Sequence, residues 1–119
     1  MSEIFNLPAT NEEPEIFIDY DNHIVKLIGK CLLENAHGFF LKLLEKIVYI
    51  DNLKLIIDLE YVNSSSFRHI IVLIEDELTL SEVQWYYIEE DFDMEEKGII
   101  IKDILNTLHS DIKFKLIIK

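Results

Sequence analysis

Ile16, Ile18 and Tyr20 alternate with Phe17 and Asp19, the period-two pattern of a strand. Asp21 and Asn22 supply a turn, and residues 23–28 read as a second strand closed by Gly29, so the pair forms a hairpin. The period then changes. After Asn35, a candidate helix N-cap, Ala36, Phe39, Phe40, Leu43, Leu44, Ile47 and Val48 recur at helical spacing while Glu45 and Lys46 fall off the stripe. Asp51 and Asn52 break the pattern. Residues 53–59 are mostly apolar and bounded by polar residues, which predicts a central strand buried on both faces. A polar loop at 63–66 precedes a second helical stripe of Phe67, Ile70, Ile71, Ile74 and Leu78. Residues 83–88 are rich in strand formers. An acidic bridge at 89–96 leads into a third stripe of Met94, Gly98, Ile101, Leu105 and Leu108. In the last strand, 112–118, apolar residues alternate with Lys113 and Lys115, as on an edge strand guarded against aggregation.

The predicted order is ββαβαβαβ: an α/β chain with a mixed four- to five-stranded sheet packed against about three helices. Ile4 and Phe5 are a candidate for one more short strand. Strands alternating with helices imply parallel crossovers of one hand. Residues 1–13 read as a flexible leader and 14–119 as a single domain, with no repeat or Gly/Ser-rich linker to divide it. An opening hairpin followed by βα units is similar to the STAS architecture of anti-sigma-factor antagonists, an analogy of fold alone.

Half of the 119 residues are hydrophobic, enough for a core without disulfides or metals. The lone Cys31 excludes an intramolecular disulfide and suits a reducing cytoplasm. No apolar run is long enough to cross a membrane. The net charge of −12 repels nucleic-acid phosphate and anionic lipid, so neither is an expected partner. Such a surface serves solubility, or docking to a basic patch on a protein.

The loop after the central strand carries the chemistry. Residues 60–68, from Glu60 and Tyr61 through Asn63, Ser64, Ser65 and Ser66 to Arg68, stand where a strand ends and a helix begins. Helix-start N–H groups and the helix dipole favour an anion there. A phosphate on Ser64, worth about −1.5 to −2 charges, fits that place, with Arg68 and His69 a turn away and Asp58 and Glu60 as repelling neighbours. The plainer alternative is that Asn63 or a serine only caps the helix.

The stretch Leu59-Glu60-Tyr61-Val62-Asn63-Ser64-Ser65-Ser66 resembles the signature of the SiaC family of bacterial regulatory phosphoproteins. So do Trp85-Tyr86-Tyr87-Ile88-Glu89-Glu90-Asp91-Phe92-Asp93-Met94-Glu95-Glu96-Lys97-Gly98 and the pattern Gly29, Glu34-Asn35-Ala36, Phe39-Phe40. The likeness spans about 14–119. It implies a STAS-like domain phosphorylated on the residue directly after the motif asparagine, here Ser64, with Ser65 as second candidate. It further implies a dedicated Ser/Thr protein kinase, a PP2C-like phosphatase, and an unphosphorylated form that binds and activates a diguanylate cyclase, affecting aggregation and biofilm formation. Glu60, Tyr61, Asn63, Ser65, Ser66 and Arg68 would then form the phosphosite motif. Trp85, Tyr87, Glu89, Glu90, Asp91 and Asp93 would offer a partner surface. The chain departs from the pattern in having Ser for Thr at 64 and Leu33 where proline is expected.

Other chemistry finds less support. The run 89–96 is rich in oxygen ligands but lacks EF-hand spacing, and acidic residues also stabilise a helix start. Trp85, Tyr86 and Tyr87 must divide between two sheet faces, as core or as interface anchors. His23, His37, His69 and His109 are scattered, so no metal is expected, and Cys31 has no activating neighbour in sequence. Three glycines cannot build a phosphate loop, and Ser64 has no nucleophile-elbow context, so no cofactor and no catalytic residue is expected. Two functions remain: a partner-switching module controlled by Ser phosphorylation, and a constitutive acidic adaptor or scaffold without phosphate control.

Overall fold

A computed structural model describes residues 3–108 and 111–119; His109 and the first two residues of the leader lie outside them. Strand β1 (Ile4–Leu7) is followed by β2 (Glu15–Asp19), β3 (Ile24–Cys31), α1 (Ala36–Ile47), β4 (Leu53–Val62), α2 (Ser64–Val72), β5 (Leu80–Tyr87), α3 (Phe92–Leu108) and β6 (Lys113–Ile118). A π-helical turn, Leu73–Glu77, extends α2. The strands form one sheet in chain order, β1-β2-β3-β4-β5-β6. The first three are antiparallel, and β3 through β6 are parallel.

Crossovers of one hand between successive neighbours send every helix to the same side of the sheet. Burial follows that arrangement. Leu53, Leu55, Ile57 and Leu59 of β4 are buried, while Lys54, Ile56 and Asp58 between them are only partly covered. The expectation that this strand is buried on both faces is therefore corrected. Its near-continuous apolar run came from Ile56, which belongs to the open face. That open face is read across the sheet from the register: Phe17, Lys26, Ile56, Gln84 and Lys115 stand in one row, and Asp19, Ile24, Lys54, Glu82 and Lys113 in the next. Glu15, Ile28, Asp58, Tyr86 and Ile117 make a third. Ion pairs Lys115–Glu82, Lys30–Glu60 and Lys119–Asp58 tie it together.

Two further expectations change. The leader is not loose over residues 4–7: they form β1, because pairing covers the edge of β2 and lets Phe5 pack on the core beneath Lys46, whose Nζ lies 4.4 Å from the ring centre. This sixth strand takes the sheet past the four or five expected. Asn35 precedes α1, but its side chain makes no cap hydrogen bond. The stripe of Ala36, Phe39, Phe40, Leu43 and Ile47 holds the helix to the core instead. Gly29, at φ 115°, a conformation that favours glycine, stands where the β3–β4 register shifts and leaves Glu60 of β4 as the extra residue.

Candidate functional site

Strands β3 and β4 end side by side, with Cys31 opposite Val62, so the turns into α1 and α2 are neighbours. Asn63 joins them. Its N–H donates to the Cys31 carbonyl at 3.0 Å, and its Nδ2 donates to the Leu33 carbonyl at 3.0 Å. Its Oδ1 accepts from the Ser66 N–H at 2.9 Å, capping α2. One side chain thus satisfies an orphan donor and pins the neighbouring loop.

The cap orders the three serines. Ser64 and Ser65 are exposed, whereas Ser66 is fully buried. Ser66 Oγ is buried without a hydrogen-bond partner, and burial also pushes the neighbouring Cys31 thiol up. Ser66 is thereby a packing residue and closed to a modifying enzyme in the folded state. Ser64, the first residue of α2, has its hydroxyl at the open end of the helix.

Arg68 is exposed one turn on from Ser64. His69 is turned elsewhere. Its Nδ1 lies 2.8 Å from the Ser65 carbonyl, and its ring stacks on Phe40 with centres 5.7 Å apart. Glu60 is exposed and 4.0 Å from Lys30, and Tyr61 beside it is 47% exposed. The motif residues Glu60, Tyr61, Asn63, Ser64, Ser65 and Arg68 thus gather at one end of the sheet.

The second motif divides. Trp85 and Tyr87 were expected on a partner surface, and the structure corrects this. Trp85 is fully buried, donates from Nε1 to the Met94 carbonyl at 2.8 Å, and meets Phe67 edge-on at 5.9 Å. Tyr87 is buried with its hydroxyl on a Glu95 carboxylate oxygen at 3.0 Å; desolvation, then Glu95, pushes its phenol up. Both rings fall on the helix side because residues 85 and 87 share the pleat of buried Val83. Asp91 is also structural: its Oδ1 accepts from the Met94 N–H at 3.2 Å at the start of α3. Glu89, Glu90 and Asp93 are exposed. Glu90 takes φ 72°, a left-handed conformation within the tight turn between β5 and α3.

Two exposed apolar residues at this corner were missed from the sequence: Phe92, 72% exposed, and Ile88, 53% exposed. Phe92 was legible, since it stands two residues before Met94 and so off the stripe that buries Met94, Gly98 and Ile101. Lys97 connects the corner to α2, pairing with Asp93 at 2.7 Å while lying 5.8 Å from the Phe67 ring centre. Among the described residues no group of three or more His, Cys, Asp or Glu converges as a metal site. No helix among them is long and apolar enough to cross a membrane.

The model of a family described as "SiaC family regulatory phosphoprotein" matches residues 7–117. SiaC of Pseudomonas aeruginosa has a similar structure at TM-score 0.71 and 20% identity, over 98% of each chain. The crystal structure of the diguanylate cyclase SiaD in complex with its activator SiaC, from the same organism, matches at TM-score 0.73 and 17% identity, over 97% of this chain and 99% of that one. Apo-SiaC matches at 0.64 and 18%, over 96% and 98%. At these identities the structural likeness shows the fold alone. No curated protein matches the sequence.

Proposed function

The chain belongs to the SiaC family of regulatory phosphoproteins, and from that premise we propose that it is a partner-switching module whose switch is reversible phosphorylation of Ser64. The observation that carries the reading is the inequality of the three serines. Ser64 directly follows the capping Asn63 and is exposed, while Ser66 is buried. A phosphate at Ser64 sits at the first turn of α2, where free N–H groups and the dipole favour it and Arg68 is within a turn. It also adds negative charge to a corner that already presents Glu60, Glu89, Glu90 and Asp93. A partner surface that brings carboxylates to this corner is repelled by that added charge, which slows encounter and weakens binding.

In this reading a Ser/Thr kinase writes the phosphate and a PP2C-like phosphatase removes it. The unmodified form binds a diguanylate cyclase in the cytoplasm and so affects biofilm formation. The activator role of the P. aeruginosa relative toward SiaD supports that choice of partner. The chain itself performs no catalysis. The test is binding to a diguanylate cyclase from the same cells, with cyclic di-GMP synthesis as a second readout. Ser64→Ala should bind and activate as the unmodified chain does, while Ser64→Asp should bind about tenfold or more weakly. Equal behaviour of all three removes the switch.

A second reading, a constitutive acidic adaptor, rests on the exposed Phe92 and Ile88 beside Glu89 and Glu90. That corner offers apolar anchors in an acidic rim without needing Ser64. It predicts partner binding lost in Phe92→Ala and indifferent to Ser64.

A further inference from the structure

Among the described residues no element covers the sheet face turned away from the helices. Parallel strands such as β3 through β6 are ordinarily covered on both faces. Here the uncovered side carries Phe17, Ile24, Ile28, Ile56, Tyr86 and Ile117, each still partly exposed. These apolar side chains stand among the lysines and carboxylates of the same rows.

Charge is partitioned unevenly between this face and the rest. Six of the chain's 11 Lys and Arg residues rise from it: Lys26, Lys30, Lys54, Lys113, Lys115 and Lys119. Only five of the 23 carboxylates do so, at 15, 19, 58, 60 and 82. Five cations and eighteen carboxylates are left for all other surfaces. A basic partner is drawn to those other surfaces, and an acidic one gains little from a face so nearly neutral. Taken together, the other surfaces of two copies repel one another, while this face is close to balanced.

The centre of the face is also self-complementary. Lys54, Ile56 and Asp58 stand in line on β4, at successive outward positions. A two-fold axis through Ile56, in the plane between two stacked sheets and across the strands, sets Ile56 on its own counterpart. It lays Lys54 over Asp58 of the partner subunit, and Asp58 over the partner's Lys54. The contact is isologous, so each ion pair is made twice. Asp58 already takes Lys119 of its own chain, with the carboxylate side chain 29% exposed, leaving room for a second cation.

We propose that the open sheet face is the seat of a second copy of this chain, in a two-fold stacking centred on Ile56. The inference does not depend on phosphorylation of Ser64, which lies at the end of the sheet and not on this face.

The experiment is light scattering on the size-fractionated full chain, at tens of micromolar protein and low salt. The expected mass is about twice 14.1 kDa. Lys54→Glu and Asp58→Lys should each give a monomer, because each sets like charges opposite one another. Mixed in equal amounts, the two variants should recover the dimer mass, since the heterodimer restores both ion pairs. Ile56→Arg should be monomeric with an unchanged far-UV circular dichroism spectrum. A wild-type monomer under these conditions overturns the proposal. So does a dimer indifferent to all three substitutions, and so does failure of the mixture to reassociate.

Discussion

Asn63 is the residue on which the candidate site hangs, because it caps α2 and ties down the β3–α1 loop through Leu33. Asn63→Ala should cost about 1–2 kcal/mol, the range of a lost cap, read as a lower denaturant midpoint with unchanged slope. Ser64→Ala should leave the midpoint within about 0.5 kcal/mol, as an exposed change does. Ser66→Asp should destabilise strongly, since it forces a carboxylate into the space against Cys31. The sequence placed the cap at the right loop but could not rank the three serines by exposure. Ser66 stands four residues before buried Ile70, and that spacing marks it as inward. The spacing of Ser64 from Phe67 gives the same sign, yet Ser64, the first residue of the helix, is exposed. A helical phase alone does not tell whether a residue at the helix end is covered.

At the scale of elements, α3 is held to β5 at one place that admits no side chain. A Cβ on Gly98 would lie 2.5 Å from Leu116 Cδ1 and 2.7 Å from Trp85 Cδ1. Gly98→Ala should therefore lower stability by about 1–3 kcal/mol despite the better helix propensity of alanine, as thermal melts would show. The same packing explains why Trp85 and Tyr87 are no partner surface. Their strand-forming character was legible, but the alternation 85, 87 against 86 gives no absolute phase until Val83 or Met94 is known to lie inside. At the start of α3, Phe92 packs on little and should be replaceable without loss of stability. Phe92→Ala should keep the melting temperature within about 2 °C while weakening partner binding at this corner. Element order and helix stripes were readable because their periods are strong. β1 was only half readable, since four residues interrupted by polar Asn6 pass for leader until β2 is seen to need an edge partner.

The whole molecule is an acidic body with a near-neutral sheet face on one side and an exposed serine at a helix start at one end. Composition gave the sign of the charge and so turned attention from nucleic acid and membrane toward protein partners. It could not give the distribution, because six lysines scattered over the sequence gather on one face only through strand register. The weakening of binding caused by Ser64→Asp should shrink as ionic strength rises, because salt screens the repulsion that the added charge creates. The family and the geometry meet in a single claim, that the exposed serine after the capping asparagine is where this molecule is controlled. Peptide mass spectrometry on the chain purified from its native cells, with and without phosphatase treatment, tests it most directly. The account predicts a phosphate on Ser64 that the phosphatase removes. Phosphate confined to another residue, or none under any growth condition, would contradict it.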